Sequence, residues 1–278
     1  MEDFCWRRVE ETIKPSRGII GSVIAFYLPG GMAVYVFPIL LGLGATIGLL
    51  WVGLQSPARV ALQSVNAGLV GLLGSLVGGR VTFVAAHWSY FQLHWGEIPQ
   101  IYLGGLSWPG ALAGGVLAVA LYARMVNQRL AVLLDTLLPL LGMVLVSVWL
   151  ACWLDGYAYG EASQAWWALP ARDEWGVLTR RVPVQLLGAL LALLTVWLFD
   201  RLRVRSPLTG QAALLVLTLL CLQLFGLSFL RADPAPLWRG LHPESWSALA
   251  LALFFFLVFL VYAAWDRQHR ARIDTQVG

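Results

Sequence analysis

The sequence predicts an all-α polytopic membrane protein of about seven transmembrane helices. Three observations predict it. The 278-residue chain is 59% hydrophobic and only 12% charged, with a mean hydropathy of +0.73, whereas soluble domains carry about 25% charged residues. Its apolar residues fall in runs long enough to cross a bilayer, for which a helix needs about 20 residues. Its basic residues gather in the turns between those runs. The pI near 9.2 therefore reads as topology and not as nucleic-acid binding.

In chain order, residues 1–32 form a charged N-terminal arm with Arg7, Arg8, Glu10, Glu11, Lys14 and Arg17, ending at Pro29-Gly30-Gly31. These charges argue against a cleavable signal peptide. The membrane domain covers 33–265. Its first span is Ala33 to Leu54, and Gln55 to Arg59 is a tight turn. The second span, Val60 to Ala86, carries Gly78-Gly79-Arg80 near its end. His87 to Leu103 is rich in tryptophan and tyrosine, which favour the membrane–water boundary, and is predicted to be an interfacial arm. Gly104 to Tyr122 is the third span. Its outer half holds five glycines, Ser107 and Pro109, the composition of a broken helix that lines a site or packs closely on a neighbour.

The fourth span is Ala131 to Leu154, and the long loop Asp155 to Arg181 follows. Pro183 to Phe199, Gln211 to Leu230 and Ser247 to Trp265 are the remaining spans, and 266–278 is a basic tail. The arginine asymmetry places the C-terminus in the cytoplasm and the N-terminal arm and long loops outside. No internal repeat supports an inverted-repeat transporter.

Chemistry-bearing patterns are sparse. Cys5, Cys152 and Cys221 are scattered with no metal or redox spacing. No G-x-S-x-G, H-E-x-x-H or phosphate-loop pattern occurs, so no metal or cofactor is expected.

Several short pieces, in order, carry a resemblance. They are Gly78-Gly79-Arg80, Gly104-Gly105-Leu106-Ser107 with Gly110, Asp155-Gly156-Tyr157-Ala158-Tyr159-Gly160, Arg181-Val182-Pro183-Val184-Gln185-Leu186, and Phe229-Leu230-Arg231-Ala232-Asp233. Together they resemble the bacterial phosphatidylglycerol–prolipoprotein diacylglyceryl transferases, with their G-G-x-S-x-H-G-x-x-x-G, N-G-E-x-x-G and R-H-P-x-Q-L elements. The resemblance implies seven spans, the bacterial inner membrane and a part in lipoprotein biosynthesis. It also implies an anionic phospholipid partner, phosphatidylglycerol, with lipoprotein signal segments as a second partner. It points to Arg80, Gly105, Ser107, Gly110, Asp155, Tyr159, Arg181 and Gln185 as lipid- or substrate-binding residues.

The departures are specific. The third-span histidine is Pro109, and the R-H-P histidine is Val182. Where the family reads G-R-x-G-N-F, the arginine falls at Trp149 and the first asparagine at Cys152. The N-G-E glutamate falls at Tyr157, and a sixth-span arginine and glutamate fall at Leu224 and Ser228.

The family reaction moves diacylglycerol onto a cysteine thiol, which must lose a proton near pKa ~8.5. The departing phosphate also needs charge stabilisation. No catalytic residue is assigned; His87 and His94 are the candidates for a replacement base. Three readings follow: the family reaction at weak or no activity, a non-catalytic relative that binds a lipid or signal segment, and a small transporter or channel. Arg80 is equally consistent with snorkelling to the interface.

Overall fold

The computed structural model describes residues 24–27, 33–101, 104–173, 176–205, 211–234 and 238–277. The predicted charged arm lies outside the described residues apart from 24–27, which form β1 (Ile24–Tyr27). This pairs antiparallel with β2 (Ala33–Tyr35). The helices are α1 (Val36–Gln55), α2 (Ala61–Ala86), the short α3 (Trp88–Phe91), α4 (Trp108–Met125), α5 (Leu130–Thr136), α6 (Leu138–Asp155), α7 (Val184–Arg205), α8 (Gln211–Ser228) and α9 (Pro243–Val277). A second antiparallel hairpin, β3 (Leu169–Arg172) with β4 (Leu178–Arg181), stands between α6 and α7.

Six of these helices, α1, α2, α6, α7, α8 and α9, are long and apolar enough to cross a membrane. The protein is therefore a multi-pass membrane protein. Helix α4 occupies the place of the predicted third span, but its glycines, Tyr122 and Arg124 make it less apolar than the other six. Neighbours pack in the order α4, α2, α1, α6, α7, α8, α9. Leu112 of α4 also touches the α8–α9 cluster of Leu217, Cys221, Ala252 and Phe255. Half of the α8 span is buried, against 17% for α1 and 22% for α2 and α9. That difference puts α8 at the centre and turns the leucines of the outer helices, such as Leu73 and Leu257, towards lipid.

The predicted third span is shifted and unbroken. Gly104 and Gly105 adopt positive φ (90° and 77°), so the chain enters extended, and α4 begins only at Trp108. Pro109 lies in its first turn, where a proline has no helical partner to lose. The break falls in the predicted fourth span instead. Pro139 cannot donate to the carbonyl of residue 135, and the chain bends at Leu137 between α5 and α6. Beyond Trp265, α9 continues as helix to Val277, through most of the stretch read as a tail.

One buried polar contact ties the inner ends together. The carboxylate of Asp135 accepts the N–H of Ala213 at 2.8 Å, capping α8 from a different helix.

Candidate functional site

The residues singled out from the sequence fall into two groups and not into one mouth. The first group is at the C-terminal end of α2 and the N-terminal end of α4. Arg80 is buried and gives its N–H groups to the main chain. Nε donates to the Ile98 carbonyl at 2.8 Å, and Nη2 to that of Glu97 at 2.7 Å. Nη1 donates to the carbonyls of Gly104 and Gly105 at 2.8 and 3.1 Å. The rings of Phe83 and Phe91 flank the guanidinium.

Around this knot the arm folds on itself. Tyr90 Oη donates to Glu97, and His94 stacks on Tyr90 at 4.2 Å. His87 bonds the Phe83 carbonyl and lies against the Phe83 ring. Trp88, Leu93 and Trp95 remain exposed on the outside of the arm. Ser107 donates its N–H to the Gly79 carbonyl at 3.0 Å, and Gly110 leaves room for Thr82. In this group Gly105, Ser107 and Gly110 act as packing and turn positions.

The second group caps α6 and α7. Asp155, buried, is the last residue of α6, and Gly156 reverses the chain at φ 74°. A Cβ there would also meet the Asp173 carbonyl at 2.7 Å, so this position needs glycine twice over. The strand-like segment that follows is held from both sides. Gly160 pairs with Arg231 and Ala162 with Arg181. Arg181 donates to Asp173 at 3.0 Å and lies over the Tyr159 ring at 4.4 Å.

Gln185 is fully buried in the first turn of α7 and donates to the Tyr157 carbonyl at 2.8 Å. Arg181 Nε and Gln185 Oε1 are buried with no partner among the described residues. They are a donor and an acceptor within a few residues of each other.

Below this cap a narrow crevice of about 10 Å³ lies between α6, α7 and α8. Leu145, Trp149, Ala192, Leu220, Leu224 and Leu227 line it, with Gly188 and the amide of Gln223. Gly188 makes room for the Trp149 indole, which lies flat on α7. Gln223 donates to Thr195 Oγ1 at 2.6 Å. No charged side chain lines the cleft, and neither Pro109, His87 nor His94 borders it.

The comparisons with known proteins follow this geometry. A family model described as prolipoprotein diacylglyceryl transferase matches residues 23–265, most of the chain. The chain belongs to the prolipoprotein diacylglyceryl transferase family. It is 33% identical over 159 residues to the phosphatidylglycerol–prolipoprotein diacylglyceryl transferase of Bacillus licheniformis, covering 55% of this chain and 56% of that protein. The protein of that name from Clostridioides difficile is 27% identical over 145 residues, 50% of this chain and 57% of the relative. The one from Neisseria meningitidis serogroup B is 30% identical over 174 residues, 53% and 60% of the two chains. The matches thus span less than two thirds of these relatives' length.

Of the positions where the sequence reading sets departures from the family pattern, Trp149 and Leu224 line the cleft. Tyr157 is half exposed on the cap, and Val182 donates its N–H to the Glu161 carbonyl there.

Sequence reasoning missed two contributors to the cap. Asp173, read only as a loop acid, is buried and bonds both Arg181 and the Val177 N–H. Arg231, noted within a motif but not as a site residue, chelates Asp233 at 2.8 and 2.6 Å and reaches Glu244 at 3.1 Å. Burial alone would lower its guanidinium, but the hydrogen bonds and charges of Asp233 and Glu244 raise it above the ordinary arginine value. The signal was present in the Arg-x-Asp spacing, which allows a bidentate pair across a tight turn.

Proposed function

We propose that this protein is a member of the prolipoprotein diacylglyceryl transferase family that binds a phospholipid but transfers little or no diacylglycerol. The observation that carries the reading is the apolar cleft. Trp149 and Leu224 stand in it at positions where the resemblance calls for arginine. A departing glycerol phosphate needs fixed positive charge in a dry site, and leucines and an indole supply none. The crevice is too narrow to enclose an acyl chain, but its apolar rim can carry one laid along it from the lipid side, at about 25 cal/mol per Å² of apolar surface removed from water.

Gln185 lies one helical turn from Gly188 of the cleft lining, and its buried Oε1 has no partner among the described residues. With the likewise buried Arg181 Nε it is an acceptor and a donor that the hydroxyl groups of a glycerol headgroup entering the cap would satisfy. The curated relatives are named for phosphatidylglycerol and prolipoprotein, and phosphatidylglycerol is the lipid proposed here. A lipoprotein signal segment is the second occupant that those names suggest. Arg80 is assigned to holding the interfacial arm. The location proposed is the bacterial inner membrane, with the C-terminus cytoplasmic and the arm, hairpin and cap outside.

Native mass spectrometry of the delipidated protein tests this reading. Phosphatidylglycerol should be retained, and both Gln185→Leu and Leu224→Asp should release it. Equal retention by both variants would remove the cleft as the site, and formation of a thioether on a lipobox peptide would overturn the non-transferring reading.

A further inference from the structure

The β3–β4 hairpin has two faces of opposite character. Cross-strand neighbours Ala171 and Thr179 turn inwards onto the cap, and Ala171 is buried. The pairs Pro170–Arg180 and Arg172–Leu178 turn outwards, and all four are exposed. Next to them Val177 and Leu178 are 53% and 63% exposed, and Trp166 is 89% exposed. Arg180 donates to the carbonyls of Ala168 and Trp166, which ties the tryptophan segment to this face. The turn is fixed from inside, because Asp173 accepts the Val177 N–H and pairs with Arg181.

We propose that this outward face lies in the headgroup layer of an anionic bilayer. Trp166, Val177 and Leu178 enter the interface, and Arg172 and Arg180 face lipid phosphate.

Three features favour lipid as the occupant. The first is reach: four residues per strand span only about 13 Å, and α7 begins three residues after β4. A headgroup layer is roughly 5–8 Å deep on each side. An upright hairpin would lift Val177 and Leu178 into water, whereas a reclining one sets them at the depth where tryptophan and arginine are favoured.

The second is charge. Of the two acids at the turn, Asp173 faces inwards and is paired, and Glu174 lies outside the described residues; the described outward residues of the hairpin carry only positive charge. The third is continuity. Leu187, one turn into α7, is already exposed, so the hairpin joins directly onto the lipid-facing surface.

Spin labels on the full-length protein in nanodiscs test the proposal, with the native cysteines replaced. Labels at Val177 and Trp166 are compared with one facing lipid at Leu257 and one in the tail at Gln268. In discs containing phosphatidylglycerol, the Val177 and Trp166 labels should be several-fold less accessible to a water-soluble nickel chelate than the Gln268 label. They should favour oxygen, as the Leu257 label does. The insertion should become shallower in purely zwitterionic discs and in Arg172→Gln. An unchanged Leu257 depth shows that each variant is folded.

Nickel accessibility at Val177 equal to that at Gln268 would overturn the proposal. Equal depth in both lipids would overturn the recognition of anionic lipid. Protection that persists in lipid-free detergent would assign the face to a protein contact and overturn it as well.

Discussion

Gly78 and Gly114 meet backbone to backbone where α2 crosses α4. A Cβ on Gly114 would sit 2.8 Å from the Gly78 Cα, and one on Gly78 would sit 2.7 Å from the Gly114 Cα. In lipid, where there is no hydrophobic drive between helices, such close packing is what holds two of them together. Gly78→Ala or Gly114→Ala should therefore destabilise the protein by about 1–3 kcal/mol, the usual cost of overpacking. The readout is thermal unfolding in detergent. Gly42→Ala, with no atom within 4 Å of the added carbon, is the control and should leave the midpoint unchanged. An equal loss in all three would dismiss the crossing as the cause.

The glycine-rich stretch also shows where sequence reading reached its limit. Its composition announces close approach, but not whether a ligand or another helix does the approaching. The partner, Gly74 and Gly78 of α2, lies more than thirty residues away. The spans themselves were legible because each needs only length and apolarity. The bend at Leu137 was written in Pro139 but masked by an uninterrupted apolar run. The β3–β4 hairpin lacks both alternation and an Asn-Gly turn. Its register comes from Asp173 and Arg181, a contact that no local pattern encodes. The family motifs pointed to Arg80, Arg181 and Gln185 as lipid- or substrate-binding residues; order along the chain cannot say which helix ends adjoin, and the structure sets Arg181 and Gln185 in one cap and Arg80 apart from it.

Arg80 is predicted to be the latch of the interfacial arm. Its hydrogen bonds reach four carbonyls from Glu97 to Gly105. Hydrogen bonds to a charged group contribute about 1.5–3 kcal/mol each at most, with strong coupling among them. In Arg80→Gln, hydrogen exchange of residues 88–101 should rise by at least tenfold while the α6–α8 core stays protected. Arg80→Lys should not restore protection, because an ammonium cannot fork across separated carbonyls. Unchanged exchange in the arm would remove the latch.

The Arg231 pair is predicted to matter asymmetrically. Arg231 and Asp233 are each less than a fifth exposed, whereas Glu244 is 62% exposed. Arg231→Met should cost about 3 kcal/mol by leaving a half-desolvated carboxylate unpaired, and Glu244→Gln should change little. Because the folded-state value of Arg231 is raised, its contribution is complete below the ordinary arginine value and is lost only at still higher pH. Chemical-denaturation midpoints of the two variants are the measurement. A larger loss for Glu244→Gln would reverse the assignment.

Topology is predicted from the arginine asymmetry and tested by single cysteines. Asp173 is unsuitable as a labelling position because it is buried and paired. Glu161, exposed on the segment after α6, and Gln268, exposed near the end of α9, are suitable. An impermeant maleimide added to whole cells should label Glu161→Cys, and Gln268→Cys only after permeabilisation. Labelling of both from one side would mean an even number of crossings between them, and α7, α8 and α9 would then not all span.

The last prediction is that neither this protein nor its Pro109→His variant forms the thioether product from phosphatidylglycerol and a lipobox peptide. A general base contributes roughly 10²–10⁴-fold, and an electrostatic stabiliser of developing charge about 10²–10³-fold. These factors belong to groups acting as a unit and do not multiply. Restoring one histidine at 109 would place it in the first turn of α4, which does not border the α6–α7–α8 cleft. The cleft would still hold Trp149 and Leu224 where a phosphate needs positive charge. Trp149→Arg alone should not rescue activity either. The indole fills the space over Gly188, and a lone guanidinium there would be a buried, unpaired charge that lowers stability by several kcal/mol. Even the triple change Pro109→His, Trp149→Arg and Leu224→Arg puts two cations in the cleft but its histidine outside it, so no product is expected there either. Mass spectrometry of the peptide reads each step of the series. Robust product from the unaltered chain would show that the departing phosphate is stabilised somewhere other than the cleft, with His87 or His94 as the base to replace next.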